Sequence, residues 1–381
     1  MVYIIIISAL YLLIKGYQIE SFLLLTGTST ILYPIIPNVI FLDIFFIFYC
    51  VVNFKKIHFN KIEVVSLFIL MLCSLIPSLF HLSVSSIFQP LRFFQIIFLY
   101  LIFLKSSNSK KTDLHSLFVL IVFLTLTSAF LSIGQIFDLG NFVYLVKPIT
   151  TYTTGGWFVG SGQIGPFYLI IFTWIFYSDI YHGKKKNFLL ILIVINILLS
   201  SSRTSLLILI LIISYSLIKN FSIKKTIPFV IISFIYFLNI EILSPKLYRT
   251  FIDISNFNFK IDTFELRQIN WTRISSYYLE NCNILFGCGY NLIEEKSELL
   301  KTSYGVFTFD NMFLRLIVEG GVFALIIKLF YYFLLIIKTN LSYLIPLILM
   351  GTTQETIEDP IIFIPTLFLL FGNTNYDIQN T

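Results

Sequence analysis

Long apolar runs, separated by short polar loops, recur along the whole chain and limit what it can fold into. A helix needs about 20 apolar residues to cross a bilayer, within a range of about 17–25, and several runs approach or reach this length. The runs are apolar on every side, as expected of helices surrounded by lipid and by other helices. The sequence therefore predicts an all-α polytopic integral membrane protein.

Composition agrees with this prediction. Only 12% of the residues are charged and 57% are hydrophobic, whereas a soluble domain carries about 25% charged residues. The mean hydropathy is +0.89. We find no internal repeat or low-complexity linker, so we expect a single membrane domain over residues 1–381.

The apolar runs give the expected positions of the transmembrane helices. The first two runs form either a shallow hairpin or one broken helix, so we expect about 12 helices in total. The candidate spans are 2–14, 21–36, 39–54, 62–80, 91–104, 114–133, 164–181, 188–200, 204–218, 227–243, 312–337, 341–353 and 361–372.

The net charge of +6 is concentrated in short lysine-rich loops. Lysine and arginine in short loops favour the cytoplasmic side of a membrane protein, so this charge predicts orientation rather than binding to nucleic acid. The loops around residues 55, 110, 185, 224 and 338 are then cytoplasmic. Alternation places residues 81–90, 134–163, 201–203 and 244–310 on the outer side.

The segment 244–310 is the one sizeable piece predicted to lie outside the membrane. It contains Arg249, Arg267 and Arg273. The stretch "TFELRQINWTRISSYYLEN" has a helical rhythm that places Arg267 and Trp271 on one face, and "FGCGYN" ends it. Asp310 then occupies the capping position of a helix that enters the membrane.

The four cysteines lack the spacing of a metal site, and we predict no metal and no cofactor. Cys282 and Cys288 share the predicted outer loop. They can form a disulfide if that loop faces an oxidising compartment, or remain thiols if it does not.

Arginine on the outer side of a membrane protein suggests an anionic ligand. Arg203 follows three serines, whose hydroxyls add donors, and lies where a helix begins. The free amides and the dipole of that helix end favour a phosphate group, and the planar fork of arginine suits phosphate better than lysine does. A lipid pyrophosphate fits this depth. If a sugar is attached to it, arginines can stabilise the pyrophosphate that leaves during glycosyl transfer.

An acceptor hydroxyl also needs a base, and no histidine lies in the long outer loop. Asp310 is the first candidate and Glu319 the second. Each candidate has a structural alternative: Asp310 as a helix cap, Arg203 as a residue that reaches the interface, and Glu319 as a buried packing residue, although ionisable groups in spans are usually functional. Further alternatives are ion pairs of Arg267 and Arg273 with Glu265 and Glu280, and an anchoring role for Trp271.

Three motifs resemble those of the O-antigen polymerase and O-antigen ligase superfamily. "SSSRTSLL" resembles its Ser-x-Ser-Arg signature. "RQINW" followed by "ILFGCGYN" resembles its Arg-x3-Trp and Leu-Gly-x-Gly pattern. "DNMFLRLIVEGGVFALI" resembles its closing motif, in which His-Asn or Asp-Asn precedes Glu-x-Gly. The resemblance covers roughly residues 155–335, in the family's order.

The resemblance implies a metal-independent transferase with a helical, glycosyltransferase type C-like membrane fold. Such enzymes act on undecaprenyl-pyrophosphate-linked oligosaccharides at the periplasmic face of the bacterial inner membrane. The arginines that match Arg203 and Arg267 bind the lipid pyrophosphate, with Arg273 and Arg249 as further candidates. Asp310 occupies the position near the acceptor. The earlier outer loop, "TTYTTGGWFVGSGQIG", lacks the arginine that polymerases often carry, which leaves Gln163 and Trp157 as candidate sugar contacts.

Within the superfamily, ligases usually have histidine where this chain has Asp310, so the resemblance favours a polymerase. It would transfer the growing glycan to a lipid-linked repeat unit, with a chain-length regulator and a flippase of the same pathway as expected partners. The alternatives are a ligase that transfers glycan to lipid A-core, and a flippase. Flippases need charges that line a cavity within their spans, whereas the arginines here are predicted to lie outside the spans.

Overall fold

The computed structural model describes residues 2–36, 39–53, 59, 61–80, 84–105, 113–137, 139, 156–158, 161–200, 202–219, 238–243, 248, 252, 262–289, 311–337, 348–351 and 359–371. These residues are mostly helical, as predicted. The helices are α1 (Val2–Ile14), α2 (Gln18–Gly27), α3 (Phe41–Asn53), α4 (Lys61–Leu75), α5 (Val84–Lys105), α6 (Leu114–Ile136), α7 (Ser161–Tyr177), α8 (Gly183–Leu199), α9 (Arg203–Lys219), α10 (Ile240–Leu243), α11 (Asp262–Asn281), α12 (Met312–Ile337) and α13 (Pro360–Pro365). The chain of α13 continues as a π-helix, Thr366–Phe371.

One predicted span is wrong in its length. The run 21–36 is not one helix, because α2 ends at Gly27 and is followed by a 3-10 turn and a two-stranded hairpin, β1 (Pro34–Ile36) with β2 (Val39–Ile40). The hydroxyls of Thr26 and Thr28 donate to carbonyls one turn back in α2, a type of bond that competes with helix geometry. Pro34 has no N–H with which to continue a helix. The threonine hydroxyls and Pro34 therefore prevent one continuous helix from forming over this apolar run.

Helices α1 and α2 pack together as a hairpin, one of the two arrangements expected for the first two runs. The hydroxyl of Ser21 donates to the carbonyl of Ala9 across the pair at 2.8 Å. Within the described residues, α6 is the helix that is long and apolar enough to cross a bilayer. The shorter apolar helices are α1, α3, parts of α7 and α9, and α13 together with most of its π-helical continuation. The count of about 12 spans stays a prediction.

The chain divides into two compact units, residues 1–30, 111–261 and 345–350 in the first and the remainder in the second. In the first unit, α7 packs against α8 and α9, and α6 packs against α2 and α8. Buried polar side chains tie these helices: the hydroxyl of Tyr168 donates to the carbonyl of Leu124 at 3.0 Å, and the amide of Asn196 donates to the carbonyl of Thr125 at 2.9 Å. This packing fixes the ends of α7, α8 and α9.

The second unit has an aromatic core between α5 and the C-terminal helices. The ring of Phe93 stacks on Phe363, and Phe103 meets Phe368 edge to face. The ammonium of Lys328, on the buried side of α12, lies 4.7 Å from the centre of the Phe93 ring. Helix α12 also packs against α4 and α11. These contacts hold α12, which carries the candidate site residue Glu319.

Candidate functional site

Arg203 is the first residue of α9, as the sequence predicted. Ser202 precedes it and acts as the N-cap: its carbonyl accepts the N–H of Leu206 at 3.0 Å, and its hydroxyl accepts the N–H of Ser205 at 3.4 Å. The arginine side chain is half-buried. The first amides of a helix and its dipole favour an anion. Arg203 is therefore positioned to bind the same phosphate group as the amides at the start of α9.

The serines beside Arg203 have a structural role. Ser200, Ser202 and Ser205 are buried. The hydroxyl of Ser200 donates to the carbonyl of Ile197 at 2.6 Å, and the hydroxyl of Ser202 donates to that of Ser205 at 3.0 Å. In this structure the hydroxyls of Ser200 and Ser202 bond within the protein; Ser201 lies outside the described residues, and the contribution of the serines to a ligand stays a prediction. Their function here is to shape the turn that presents Arg203.

Gly165 of α7 packs directly on this serine turn. A Cβ atom at Gly165 would lie 2.7 Å from the Cβ of Ser202 and from the Oγ of Ser205, and 2.9 Å from the Oγ of Ser200. Real Cβ contacts are not that short, so a side chain at Gly165 would push the turn away from α7. Because Gly165 has no side chain, α7 packs directly against the turn and determines the position of the residues around Arg203.

The end of the loop before α7, which is predicted to lie on the outer side, is fastened to α6. Gln135 accepts the N–H of Gly156 at 3.1 Å and donates to its carbonyl at 3.3 Å. The indole N–H of Trp157 donates to the hydroxyl of Thr127 at 2.8 Å, and Trp157 is 7% exposed. Trp157 is therefore a buried anchor of this segment. Gln163, two residues into α7, is half-buried.

The predicted outer helix is present as α11, in the second unit. It places Arg267 and Trp271 one turn apart, and the side chain of Arg267 lies outside the described part of the structure. Trp271 is half-buried, and its indole nitrogen has no hydrogen-bond partner among the described residues. Arg273 is exposed. Ile274, Tyr277 and Tyr278 pack on Val318 of α12 and join the two helices in one hydrophobic cluster.

Helix α12 is broken at Gly321, where φ is +71° and ψ is −179°. The loop 283–289 pairs with both sides of this break. The N–H groups of Cys288 and Gly289 donate to the carbonyls of Val318 and Glu319 at 2.8 and 3.0 Å. In return, the N–H groups of residues 322 and 323 donate to the carbonyls of residues 284 and 285, each at 3.1 Å. The loop thus supplies partners that the broken helix cannot supply itself.

Two glycines permit this close approach. A Cβ at Gly287 would collide with the carbonyl of Glu319, and a Cβ at Gly321 would collide with the carbonyl of Leu285. Both glycines also have positive φ, +75° and +71°, which other residues rarely adopt. The sequence motifs "FGCG" and "EGG" therefore meet in space through their backbones.

Glu319 lies at the last turn before the break and is fully buried. Its Oε2 atom accepts a hydrogen bond from the Nε of Arg315 at 3.0 Å. Sequence reasoning did not single out Arg315, although its spacing of four residues from Glu319 was a usable signal.

Asp310 and Arg249 lie outside the described residues. The N-cap of α12 is Asn311, whose side-chain oxygen accepts the N–H of Leu314 at 3.1 Å. This corrects the expectation that Asp310 caps the helix: the helix begins at Met312, and the residue directly before it is Asn311. Arg203 belongs to the first unit and Arg267, Arg315 and Glu319 to the second.

Cys282 and Cys288 form a disulfide that closes the loop paired with α12. Their Cα atoms are 4.8 Å apart, within the range for a disulfide. Within the described ranges, no three His, Cys, Asp or Glu side chains are grouped to hold a metal ion. The charged groups of the described site residues are guanidinium groups and the carboxylate of Glu319, which is paired with Arg315.

Comparison with known families identifies this part of the chain. A family model described as O-antigen ligase matches residues 188–329. The match begins in α8 and includes α9 with Arg203, α11, the loop 283–289 and the break in α12. No curated protein matches the chain. Residues 188–329 therefore match a domain of the O-antigen ligase family, which is consistent with the O-antigen ligase and polymerase superfamily, and the helical structure of the described residues is consistent with a membrane protein of this family.

Proposed function

We propose that this protein is an O-antigen polymerase, or a polymerase of a related surface polysaccharide, with its site at the periplasmic face of the bacterial inner membrane. The observation that carries the proposal is the position of Arg203. It is the half-buried first residue of α9 and directly follows Ser202, the buried N-cap. It also lies inside the segment that matches the family model. This is an arrangement suited to a lipid pyrophosphate.

In the proposed reaction, a hydroxyl of the lipid-linked repeat unit attacks the anomeric carbon of the growing glycan. The new glycosidic bond forms as the bond from that carbon to undecaprenyl pyrophosphate breaks. Arg203 and Arg267 stabilise the charge on the departing pyrophosphate, with Arg273 and Arg249 as supporting cations. The hydroxyl proton passes to Asp310, the proposed base. No metal or cofactor takes part in the proposal.

Glu319 is the weaker candidate for the base. It is fully buried and already accepts a hydrogen bond from Arg315, so its carboxylate is engaged in holding the helix. Asn311 caps α12, and we assign the neighbouring Asp310 to the acceptor. Trp271 and Gln163, both half-buried, are proposed to contact sugar.

The proposal is tested with purified protein in lipid, given defined undecaprenyl-pyrophosphate-linked repeat units and followed by separation of the products by length. Arg203→Ala should lower chain growth by about 100- to 1,000-fold, the usual loss when one group that stabilises transition-state charge is removed. Arg203→Lys should retain part of the activity. The control is Lys184→Ala, an exposed residue in the first turn of α8. Normal product length from Arg203→Ala would remove Arg203 from the mechanism.

The ligase is the second candidate, because the matching family model carries that description. A deletion strain separates the two activities by the banding of its surface lipopolysaccharide. Loss of a polymerase leaves lipid A-core with one repeat unit, whereas loss of a ligase leaves lipid A-core alone. Reporter fusions within residues 244–310 test the periplasmic orientation, and a cytoplasmic location would contradict the proposed site.

A further inference from the structure

The loop 283–289 and the disulfide that closes it lead to an inference about how this site is assembled. We propose that oxidation of Cys282 and Cys288 is a required modification of the protein, and that both cysteines are positioning residues for the first half of α12, which ends at Glu319. The effect on transfer rests on the proposed function; the formation of the disulfide does not.

The first step is the dependence of α12 on the loop. Two carbonyls before the break and two N–H groups after it are satisfied by loop residues. In a membrane protein, such groups need partners inside the protein. The conformation of the loop therefore determines whether α12 can keep its break and the position of Glu319.

The second step is the fixed conformation of the loop. The side-chain oxygen of Asn283 accepts the N–H groups of Leu285 and Phe286 at 2.9 and 3.2 Å. The carbonyl of Asn283 accepts the N–H of Gly287 at 2.7 Å. The disulfide joins the residue before this turn to the residue after it, and Cys288 itself donates to α12. Reduction would remove the one covalent bond that closes the described loop, and the number of conformations open to it would rise.

The third step is the chemistry that makes the bond. One cysteine, as its thiolate, attacks an oxidised protein disulfide and forms a mixed disulfide. The second cysteine then attacks the mixed disulfide and releases the partner as a dithiol. Two electrons and two protons pass from the cysteines to the partner. The inferred partner is thus a thiol-disulfide oxidoreductase of an oxidising compartment, which agrees with the predicted outer location of this loop.

The first experiment measures the disulfide in the full-length protein, in membranes. Substitution of Cys50 and Cys73 by serine leaves Cys282 and Cys288 as the two reporter cysteines. A maleimide-polyethylene glycol reagent should add no mass before reduction and two units after it. Addition of two units without prior reduction would overturn the proposal, whatever the activity of the protein.

The second experiment measures positioning in the assay with lipid-linked repeats. Reduction of the protein that retains only Cys282 and Cys288 should lower the rate of transfer by on the order of 10- to 100-fold, as expected for a displacement near 1 Å in a site. Reoxidation should restore the rate without refolding, with gel filtration unchanged throughout. The Cys282→Ser/Cys288→Ser variant should be as slow as the reduced protein and unaffected by reductant.

Undiminished transfer by the reduced protein would contradict the positioning role. Absence of transfer by the oxidised protein would instead contradict the proposed function. In that case, limited proteolysis of α12 near Gly321 still tests the positioning role: cleavage should be faster in the reduced protein, and equal rates would contradict it.

Discussion

The Nε atom of Arg315 lies 3.0 Å from the Oε2 atom of Glu319, one turn further along α12 and directly before the break in that helix. The side chain of Arg315 is 14% exposed and that of Glu319 is fully buried. An unpaired carboxylate in such a place is costly. The pair thus allows a charge to be buried where α12 changes direction.

Substitutions in this pair should be strongly coupled. Arg315→Ala leaves a buried carboxylate without its arginine, and the loss of one partner of a buried pair typically costs ~3–5 kcal/mol. Glu319→Gln should cost less, because the amide oxygen can still accept the hydrogen bond. Arg315→Met/Glu319→Met should be less destabilised than the sum of Arg315→Met and Glu319→Met, and additive effects in this double-mutant cycle of thermal stability in detergent would argue against the coupling.

The glycines at the contact of the loop with α12 should not tolerate a methyl group. Gly287→Ala and Gly321→Ala each combine a positive φ with a collision against a backbone carbonyl. Strain of this kind costs about 1–3 kcal/mol before any collision is added. The matched control is Gly183→Ala, where φ is also positive, +56°, but no atom lies within 4 Å. Thermal unfolding should show a larger loss of stability at Gly287 and Gly321 than at Gly183; equal losses would contradict the close approach of the loop to α12.

Gly165→Ala should reduce transfer more than it reduces stability. Its new methyl group meets the serine turn and displaces the start of α9, where Arg203 lies. The control is Gly27→Ala in the same unit, whose Cβ would meet the ends of the Leu124 and Phe167 side chains, at 2.8 and 3.1 Å. Both variants should lose some stability, but only Gly165→Ala should slow chain growth at temperatures where the protein is folded. Equal activity of the two variants would contradict a positioning role for Gly165.

The hydrogen bond between Trp157 and Thr127 should stabilise the first unit by about 1 kcal/mol, the usual net value. Trp157→Phe leaves the hydroxyl of Thr127 without this donor, and Thr127→Val leaves the buried indole N–H without its acceptor. The double variant should lose less than the sum of the single losses. A cycle on thermal stability measures the coupling, and a value near zero would show that the bond contributes nothing.

The helices could be predicted from the sequence because the length of an apolar run is a local property. Helix α1 has its predicted bounds, and α6 begins at the predicted residue and extends three residues beyond the predicted end. The run 21–36 misled this reasoning, because threonine hydroxyls and Pro34 act on the backbone within a stretch that is apolar overall. Hydropathy does not register such bonds.

The candidate site was predicted only in part, for a different physical reason. Arg203 at a helix start follows from local sequence. The pairing of loop 283–289 with residues 318–323 joins backbone groups that are distant in sequence, and backbone groups leave no side-chain pattern. The glycines of "FGCG" and "EGG" were the sequence signal of this pairing. The placement of Asp310, Arg249 and the side chain of Arg267 stays a prediction.

The pairing of the loop with the break in α12 also limits how this protein can be recombined with its relatives. Bonds run in both directions between the loop and the helix, so neither segment is a separate building block. A chimera can take residues 312–337 from one superfamily member and residues 282–289 from another. Its loop and helix then come from different proteins, and their backbone groups are not matched to each other. Exchange of both segments together preserves the fit, which makes the pair the smallest unit that can be transplanted.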